Sequence, residues 1–414
     1  MRGQERLEVW VDAAVIGEPR RVGTLMHDRG QVRFTYDQAW LGHPARFALD
    51  PDLSLDDAPF FPRPESGNFG IFLDSSPDRW GQTLMKRREA LEAKDGKRAV
   101  RTLRAWDFLL GVQDVTRQGA LRFRPEGGDE FVAAHALAAP PVTSLPELEA
   151  VARELTAKKL DNLPALRRWL AVLVAPGASL GGARPKANFT QSDGSLWIAK
   201  FPSREDDLDV GAWEGVVHTL AGQAGVSVPP ARLARLGRDH RTFCVRRFDR
   251  QDGRRIFYAS AMTLLQKSQS EGTSYIEMAQ FLQRSGARKY VKTDLEQLFR
   301  RVAFNVAIAN RDDHLRNHGF VLTSEGWRLS PAFDMNPNPD RADHVLNIDD
   351  TDNRPGLRSL LGTVHHYALD GTRADAIIDD VRAAARGWRT VARKAGIGRA
   401  EIEGMAGAFE ALES

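Results

Sequence analysis

The chain opens on two segments in which apolar and polar residues alternate, Leu7-Glu-Val-Trp-Val11 and Gln31-Val-Arg-Phe-Thr-Tyr36. A period of two is the mark of half-buried strands. Asp28-Arg-Gly30 supplies a turn before the second of them. Ser76-Pro-Asp-Arg79 predicts a helix start, with serine as the cap and proline at the first helical position; the helix runs to about Ala93. Ala120-Leu-Arg-Phe123 reads as a further strand. Two breaker-rich stretches follow, Arg124-Pro-Glu-Gly-Gly-Asp129 and Ala138-Ala-Pro-Pro-Val-Thr-Ser144, and a domain boundary is expected between them.

Beyond that boundary, helical patterns cover Leu145 to about Lys158 and Leu163 to about Val174. A loop of small residues, Ala178-Ser-Leu-Gly-Gly-Ala-Arg-Pro-Lys186, leads into a hairpin. Its strands are Ala187-Asn-Phe-Thr190 and Leu196-Trp-Ile-Ala-Lys-Phe201, turning at Ser192-Asp-Gly194. Asp209 to Ala224 predicts a helix stopped by Gly225, the residue type favoured just past a helix C-terminus. Thr242-Phe-Cys-Val-Arg-Arg-Phe248 reads as a strand, after which the pattern is mainly helical. There is no internal repeat.

Composition narrows the class. A chain of 414 residues predicts two or three domains at roughly 150 residues each. Hydrophobic residues at 42% and charged residues at 27% exclude a largely disordered chain. The single cysteine, Cys244, excludes an intramolecular disulfide and is expected to be a small buried residue. No apolar run approaches the ~18 residues that span a membrane, and the N-terminus lacks a signal-peptide core, so a cytoplasmic protein is expected. With 58 basic against 55 acidic residues, the net charge of +3 does not mark a dedicated nucleic-acid binder. Basic residues do cluster between Lys86 and Arg104. A solvated helix face explains that cluster more simply than a phosphate-facing patch.

The chemistry concentrates in Ala309-Asn-Arg-Asp-Asp-His-Leu-Arg-Asn-His-Gly319. Asp312 and Asn317 have the Asp-x4-Asn spacing of a kinase catalytic loop, where the aspartate accepts the proton of the attacking hydroxyl and the asparagine holds magnesium. An apolar helical pattern (Leu295, Leu298, Phe299, Val302, Val306) leads in, a hairpin turning at Thr323-Ser-Glu-Gly326 leads out, and Phe333-Asp334 follows. Asp and Asn are common loop residues, but the order helix, Asp-x4-Asn, hairpin, Asp is specific. Upstream, Ser179 to Lys186 could lay backbone N–H groups over phosphates, although a plain turn is as good a reading of that stretch alone. Lys200, at the end of a hairpin, stands where a phosphate-pairing lysine belongs, and Glu214 in the next helix is a candidate partner. Asp209, Asp206 and Glu205 compete with Glu214 for that role. Phe243 to Phe248 falls where a hinge would meet adenine.

These residues resemble the HipA toxins, serine/threonine kinases of bacterial toxin–antitoxin systems. In the N-terminal part the resemblance rests on Phe69-Gly-Ile-Phe-Leu-Asp-Ser-Ser-Pro-Asp-Arg-Trp-Gly81, Trp106-Asp-Phe-Leu-Leu-Gly-Val112 and Gly119-Ala-Leu-Arg-Phe123. In the kinase part it rests on Ser179 to Lys186, Trp197-Ile-Ala-Lys200, Arg247-Phe-Asp-Arg250, Asn310 to Phe320 and Pro331-Ala-Phe-Asp334. The resemblance implies an α+β, protein-kinase-like two-lobed fold with a β-containing small lobe, a mainly helical large lobe and an N-terminal β-rich module. The corresponding domains are 1–135, 136–250 and 251–414. It implies ATP and magnesium as cofactors, with Asp312 as catalytic base and Asn317 and Asp334 on the metal. Gly181, Gly182, Ala183, Arg184, Pro185 and Lys186 would cover the ATP phosphates and Lys200 would pair with them. Arg246, Arg247 and Phe248 would form the hinge, and His314, Leu315, Arg316 and Asn317 would line the phosphate side. Ser179 matches a serine that family members autophosphorylate. Asp313 departs from the founding toxin and puts a second carboxylate beside the base.

The same resemblance implies a small dimeric helix-turn-helix antitoxin as partner, operator DNA reached through that complex, and a protein substrate such as an aminoacyl-tRNA synthetase. Two alternatives come from the residues: a small-molecule kinase, since such enzymes use a similar loop, and a catalytically silent co-repressor. The serine at 179 and the N-terminal module speak against the first, and the retained Lys200, Asp312, Asn317 and Asp334 against the second.

Overall fold

The computed structural model describes residues 4–133, 139–156, 184–237 and 240–412. They form two compact units, one of residues 1–204 with 249–259, the other of residues 205–248 with 260–414. The hairpin after residue 184 falls in the first of them.

In the first unit, strands β1 (Glu5–Val11), β2 (Arg20–Asp28) and β3 (Gln31–Tyr36) form an antiparallel meander. The turn between β2 and β3 is Arg29-Gly30, both at positive φ (48° and 89°), the two-residue hairpin geometry in which glycine is nearly cost-free. Helices α1 (Arg79–Asp95) and α2 (Ala105–Leu110) follow. Strand β4 (Leu121–Pro125) then returns to pair with β1. Val9, Val11, Val22, Leu25, Phe34 and Phe123 are wholly inside. After α3 (Leu145–Thr156) comes the hairpin of β5 (Lys186–Thr190) and β6 (Leu196–Lys200). The expected helix at 163–174 lies outside the described residues.

One helix boundary differs from the expectation. The cap of α1 is Asp78, whose Oδ1 accepts from the Gly81 N–H at 2.9 Å, and not Ser76. Ser76 instead donates its hydroxyl to the Phe72 carbonyl at 2.8 Å, closing the preceding turn. A carboxylate is the better acceptor at a helix N-terminus, where it also meets the positive end of the dipole.

The basic stretch is largely engaged inside this unit. Arg98 and Arg101 both pair with the buried Glu89, at 2.5 and 3.2 Å. Arg88 faces Glu92, Arg87 donates to the Leu155 carbonyl, and Lys86 lies over the Phe108 ring. The solvated-face reading covers the remainder.

The second unit begins with α4 (Val210–Gln223), capped by Asp209, and the antiparallel pair β7 (Ala231–Ala234) and β8 (Thr242–Arg246). Cys244 is buried in β8. Helices α5 (Tyr275–Ser285) and α6 (Val291–Ala307) lead to the hairpin of β9 (Gly319–Thr323) and β10 (Gly326–Leu329). Helices α7 (Gly371–Arg386), α8 (Trp388–Lys394) and α9 (Arg399–Gly404) follow, and a 3-10 helix, Ala406–Leu412, ends the described part of the unit. α6 is the structural axis here: Leu298, Phe299, Val302, Ala303 and Phe304 are all fully buried. Among the described residues no helix is long and apolar enough to cross a membrane.

Candidate active site

The catalytic-loop candidate begins where α6 stops. Ala309 takes a left-handed conformation (φ 49°), which ends the helix and turns the chain outward. A residue with a Cβ held there is strained, a condition that persists where the surroundings impose it. Asn310 continues the turn, its N–H donating to the Asn305 carbonyl at 2.9 Å and its Nδ2 to the Asn305 Oδ1 at 3.1 Å. A one-turn 3-10 helix, Leu315–Asn317, closes the loop, pinned by the Leu315 N–H on the Ser270 hydroxyl at 3.0 Å.

The two adjacent aspartates part company. Asp312 points outward with its side chain 66% exposed, and its Oδ1 accepts from Arg341 Nη1 at 2.6 Å. Asp313 is buried, and its Oδ2 accepts from Tyr275 Oη at 2.5 Å, His318 Nε2 at 2.7 Å and Asn305 Nδ2 at 2.8 Å. Burial pushes the Asp313 carboxyl up, but His318 and the hydrogen bonds outweigh that, so the net shift is downward and the group stays ionised. Burial and the Asp313 charge together hold the Tyr275 phenol well above its ordinary range, so it remains a donor. A substrate hydroxyl can approach Asp312 from solvent. It cannot approach Asp313, whose Oδ2 is saturated by three donors.

Asn317 is buried, and its Oδ1 meets no hydrogen-bond partner among the described residues. An amide oxygen left so costs about 1–3 kcal/mol unless something else binds it, and a hard cation is a fitting ligand for such an atom. Asp334 follows the hairpin with φ 57° and, like Ala309, is a non-glycine residue in the left-handed region. It is held next to Phe333, whose ring stacks on Phe248 with centroids 5.5 Å apart. No group of three or more His, Cys, Asp or Glu side chains among the described residues could hold a metal. Magnesium needs no such cage, because it keeps waters and binds through one or two protein groups plus phosphate oxygens. Asn317 and Asp334 fit that pattern.

His314 and Arg316 are half-buried on the loop, and Leu315 is fully buried beneath it. Of the hinge residues Arg246 is exposed, Arg247 is buried and Phe248 is half-buried; the Arg246 N–H donates to the Pro230 carbonyl at 2.8 Å. Glu214 is buried on α4. Asp209, a rival for its role, caps α4 and pairs with Arg241 at 2.6 Å. All of these belong to the second unit. Arg184, Pro185, Lys186 and Lys200 belong to the first. Ser179, Gly181, Gly182 and Ala183 lie outside the described residues.

Lys186 departs from the picture of a phosphate-covering cation. It is buried, and its Nζ donates to Asp78 Oδ2 at 2.8 Å. Trp80 Nε1 also reaches the Lys186 carbonyl, at 3.3 Å.

Sequence reasoning did not single out Tyr275, Asn305, His318 or Arg341. Asn305 carried a signal: it lies seven residues after Leu298, on the apolar face of α6, where an amide needs a partner. Tyr275 and Arg341 carried none, since only the fold brings them to the loop.

Comparison with known proteins agrees with the resemblance. The HipA-like C-terminal domain family matches residues 178–388 and the HipA N-terminal domain family matches residues 8–107. Y4mE of Sinorhizobium fredii, a protein provisionally named a kinase, is 27% identical over 95% of this chain and 86% of its own. The HipA of Shewanella oneidensis MR-1, solved in a toxin–antitoxin complex with HipB and operator DNA, superposes with a TM-score of 0.65. It is 17% identical, and the match covers 98% of this chain and 95% of that one. The fold is α+β and kinase-like, as the sequence predicts, and the chain belongs to the HipA family.

Proposed function

We propose that this chain is an ATP-dependent protein serine/threonine kinase that acts as the toxin of a toxin–antitoxin pair. One observation carries the reading. Within a single loop an exposed carboxylate, Asp312, stands five residues before a buried amide oxygen, Asn317 Oδ1, that has no partner among the described residues. Phosphoryl transfer asks a protein for positioning and charge compensation rather than covalent chemistry. Asp312 orients the substrate hydroxyl and accepts its proton at a carboxylate oxygen. Arg341 engages only Oδ1, so Oδ2 is left to take that proton. Asn317 and Asp334 would hold magnesium, which would supply charge compensation at the phosphates. Lys200 and the backbone of residues 181–185 bind the phosphates, and Arg246 to Phe248 bound the adenine. The buried Asp78 contact makes Lys186 an anchor for the end of the phosphate loop.

Ser179, at the start of that loop, is the autophosphorylation site in this reading. A phosphoserine carries about −1.5 to −2 charge and would repel bound ATP phosphates. The partner is a small dimeric helix-turn-helix antitoxin, through which the chain meets operator DNA. The substrate is a protein of the translation machinery such as an aminoacyl-tRNA synthetase. The test is incubation with γ-labelled ATP and magnesium, offering a set of aminoacyl-tRNA synthetases and, separately, aminoglycosides and choline. Label on protein serine or threonine supports the proposal; label only on small molecules makes the chain a small-molecule kinase.

A further inference from the structure

The buried half of the Asp312–Asp313 pair has no part in the chemistry above, yet it is the most densely bonded carboxylate near the loop. Its three donors come from three places in the sequence. Tyr275 is the first residue of α5, Asn305 lies in the last turn of α6, and His318 leaves the loop toward β9. The Tyr275 and His318 rings also meet edge to face, with centroids 5.5 Å apart. His318 directs Nε2 at Asp313, while its Nδ1 is buried and meets no hydrogen-bond partner among the described residues. The His318 carbonyl in turn accepts from the Ala261 N–H at 2.8 Å. Asn305 extends the network to Asn310, at the entrance of the loop.

We propose that Asp313 is the positioning residue of this loop. One buried oxygen ties the entry, the exit and the flanking helix together, and this fixes the backbone on which Asp312 is turned outward. The proposal rests on the reading of Asp312 as the base. Asp313 touches no substrate; it acts through its neighbour. Misplacing a catalytic group by about 1 Å can cost up to ~10²-fold in rate, and the positioning role acts on turnover rather than on nucleotide binding.

Two full-chain variants test this. Tyr275→Phe removes one hydroxyl and leaves the ring in place, and Asp313→Asn removes the charge. Wild type and Asp312→Asn serve as references. Phosphate-transfer kinetics and amide hydrogen exchange over residues 309–318 are measured on each. The expected result is faster exchange in the loop for both variants, and a kcat lowered about 10- to 100-fold with KM for ATP within about twofold of wild type. If Asp313→Asn does not fold, Tyr275→Phe alone carries the decision. Exchange and kcat equal to wild type in Tyr275→Phe would overturn the proposal, as would a loss divided equally between kcat and KM. A wild type that transfers no phosphate, with exchange still accelerated in the variants, would overturn the kinase reading and leave the loop-positioning role standing.

Discussion

Lys186 Nζ lies 2.8 Å from Oδ2 of Asp78, a helix cap more than a hundred residues earlier in the chain, and both side chains are buried. The contact ties the start of β5 to the first turn of α1. Removing one partner of such a pair strands the other charge in a poorly solvated site. Asp78→Asn keeps a capping oxygen and deletes only the charge, and Lys186→Met keeps the stem. Each is expected to destabilise by about 3–5 kcal/mol. The double variant is expected to lose less than the sum of the singles. Denaturant unfolding of the four proteins measures both effects; additive losses would mean that the two side chains do not interact.

Asp50 should make stability depend on pH. It is 2% exposed and accepts the N–H groups of Asp52 and Ile71, each at 2.8 Å. Burial pushes its carboxyl up to about 6 despite those bonds. The folded chain therefore holds this proton more tightly than the unfolded one, and stability falls as pH rises from about 4 through 6. At 1.36 kcal/mol per unit the loss is on the order of 3 kcal/mol, complete above pH 6. Unfolding free energies across pH 4–7 should show this fall in wild type, and Asp50→Asn should flatten it.

The metal reading predicts that Asp334→Asn and Asn317→Ala each weaken the binding of ATP with magnesium, with a smaller effect on ATP alone. Asn317→Ala also deletes the orphaned amide oxygen, so its thermal stability without nucleotide is expected to hold or rise. Calorimetry with and without magnesium separates the two contributions. Unchanged affinity in both variants would remove these residues from the metal site.

For Ser179 the expectation is self-modification. Mass spectrometry after incubation with ATP and magnesium should find phosphate on Ser179, absent in Asp312→Asn, and the modified chain should bind ATP more weakly. Phosphate only at other positions would end that part of the account.

The candidates Asp312, Asn317 and Asp334 stood out because a spacing, a helix and a hairpin occur in a fixed order within a short stretch. The strands at Leu7–Val11 and Gln31–Tyr36 were legible because period two survives wherever one face is buried. The cap at Asp78 was misread because serine before proline satisfies the local rule, and only the fold shows that the Ser76 hydroxyl is spent on Phe72. Strand β7 was missed: it is four residues long, with arginine in its middle and no alternation to betray it. The Lys186–Asp78 bond and the Asp313 network join positions distant in the chain, and no local pattern encodes them.

The central claim is that Asp312, and not its neighbour, is the base of a phosphoryl transfer. The rate of γ-phosphate transfer from ATP by the Asp312→Asn chain tests it most directly. General-base contributions run to about 10²–10⁴-fold. The account predicts a loss in that range, with ATP affinity and thermal stability close to wild type. Transfer at the wild-type rate in Asp312→Asn would contradict it.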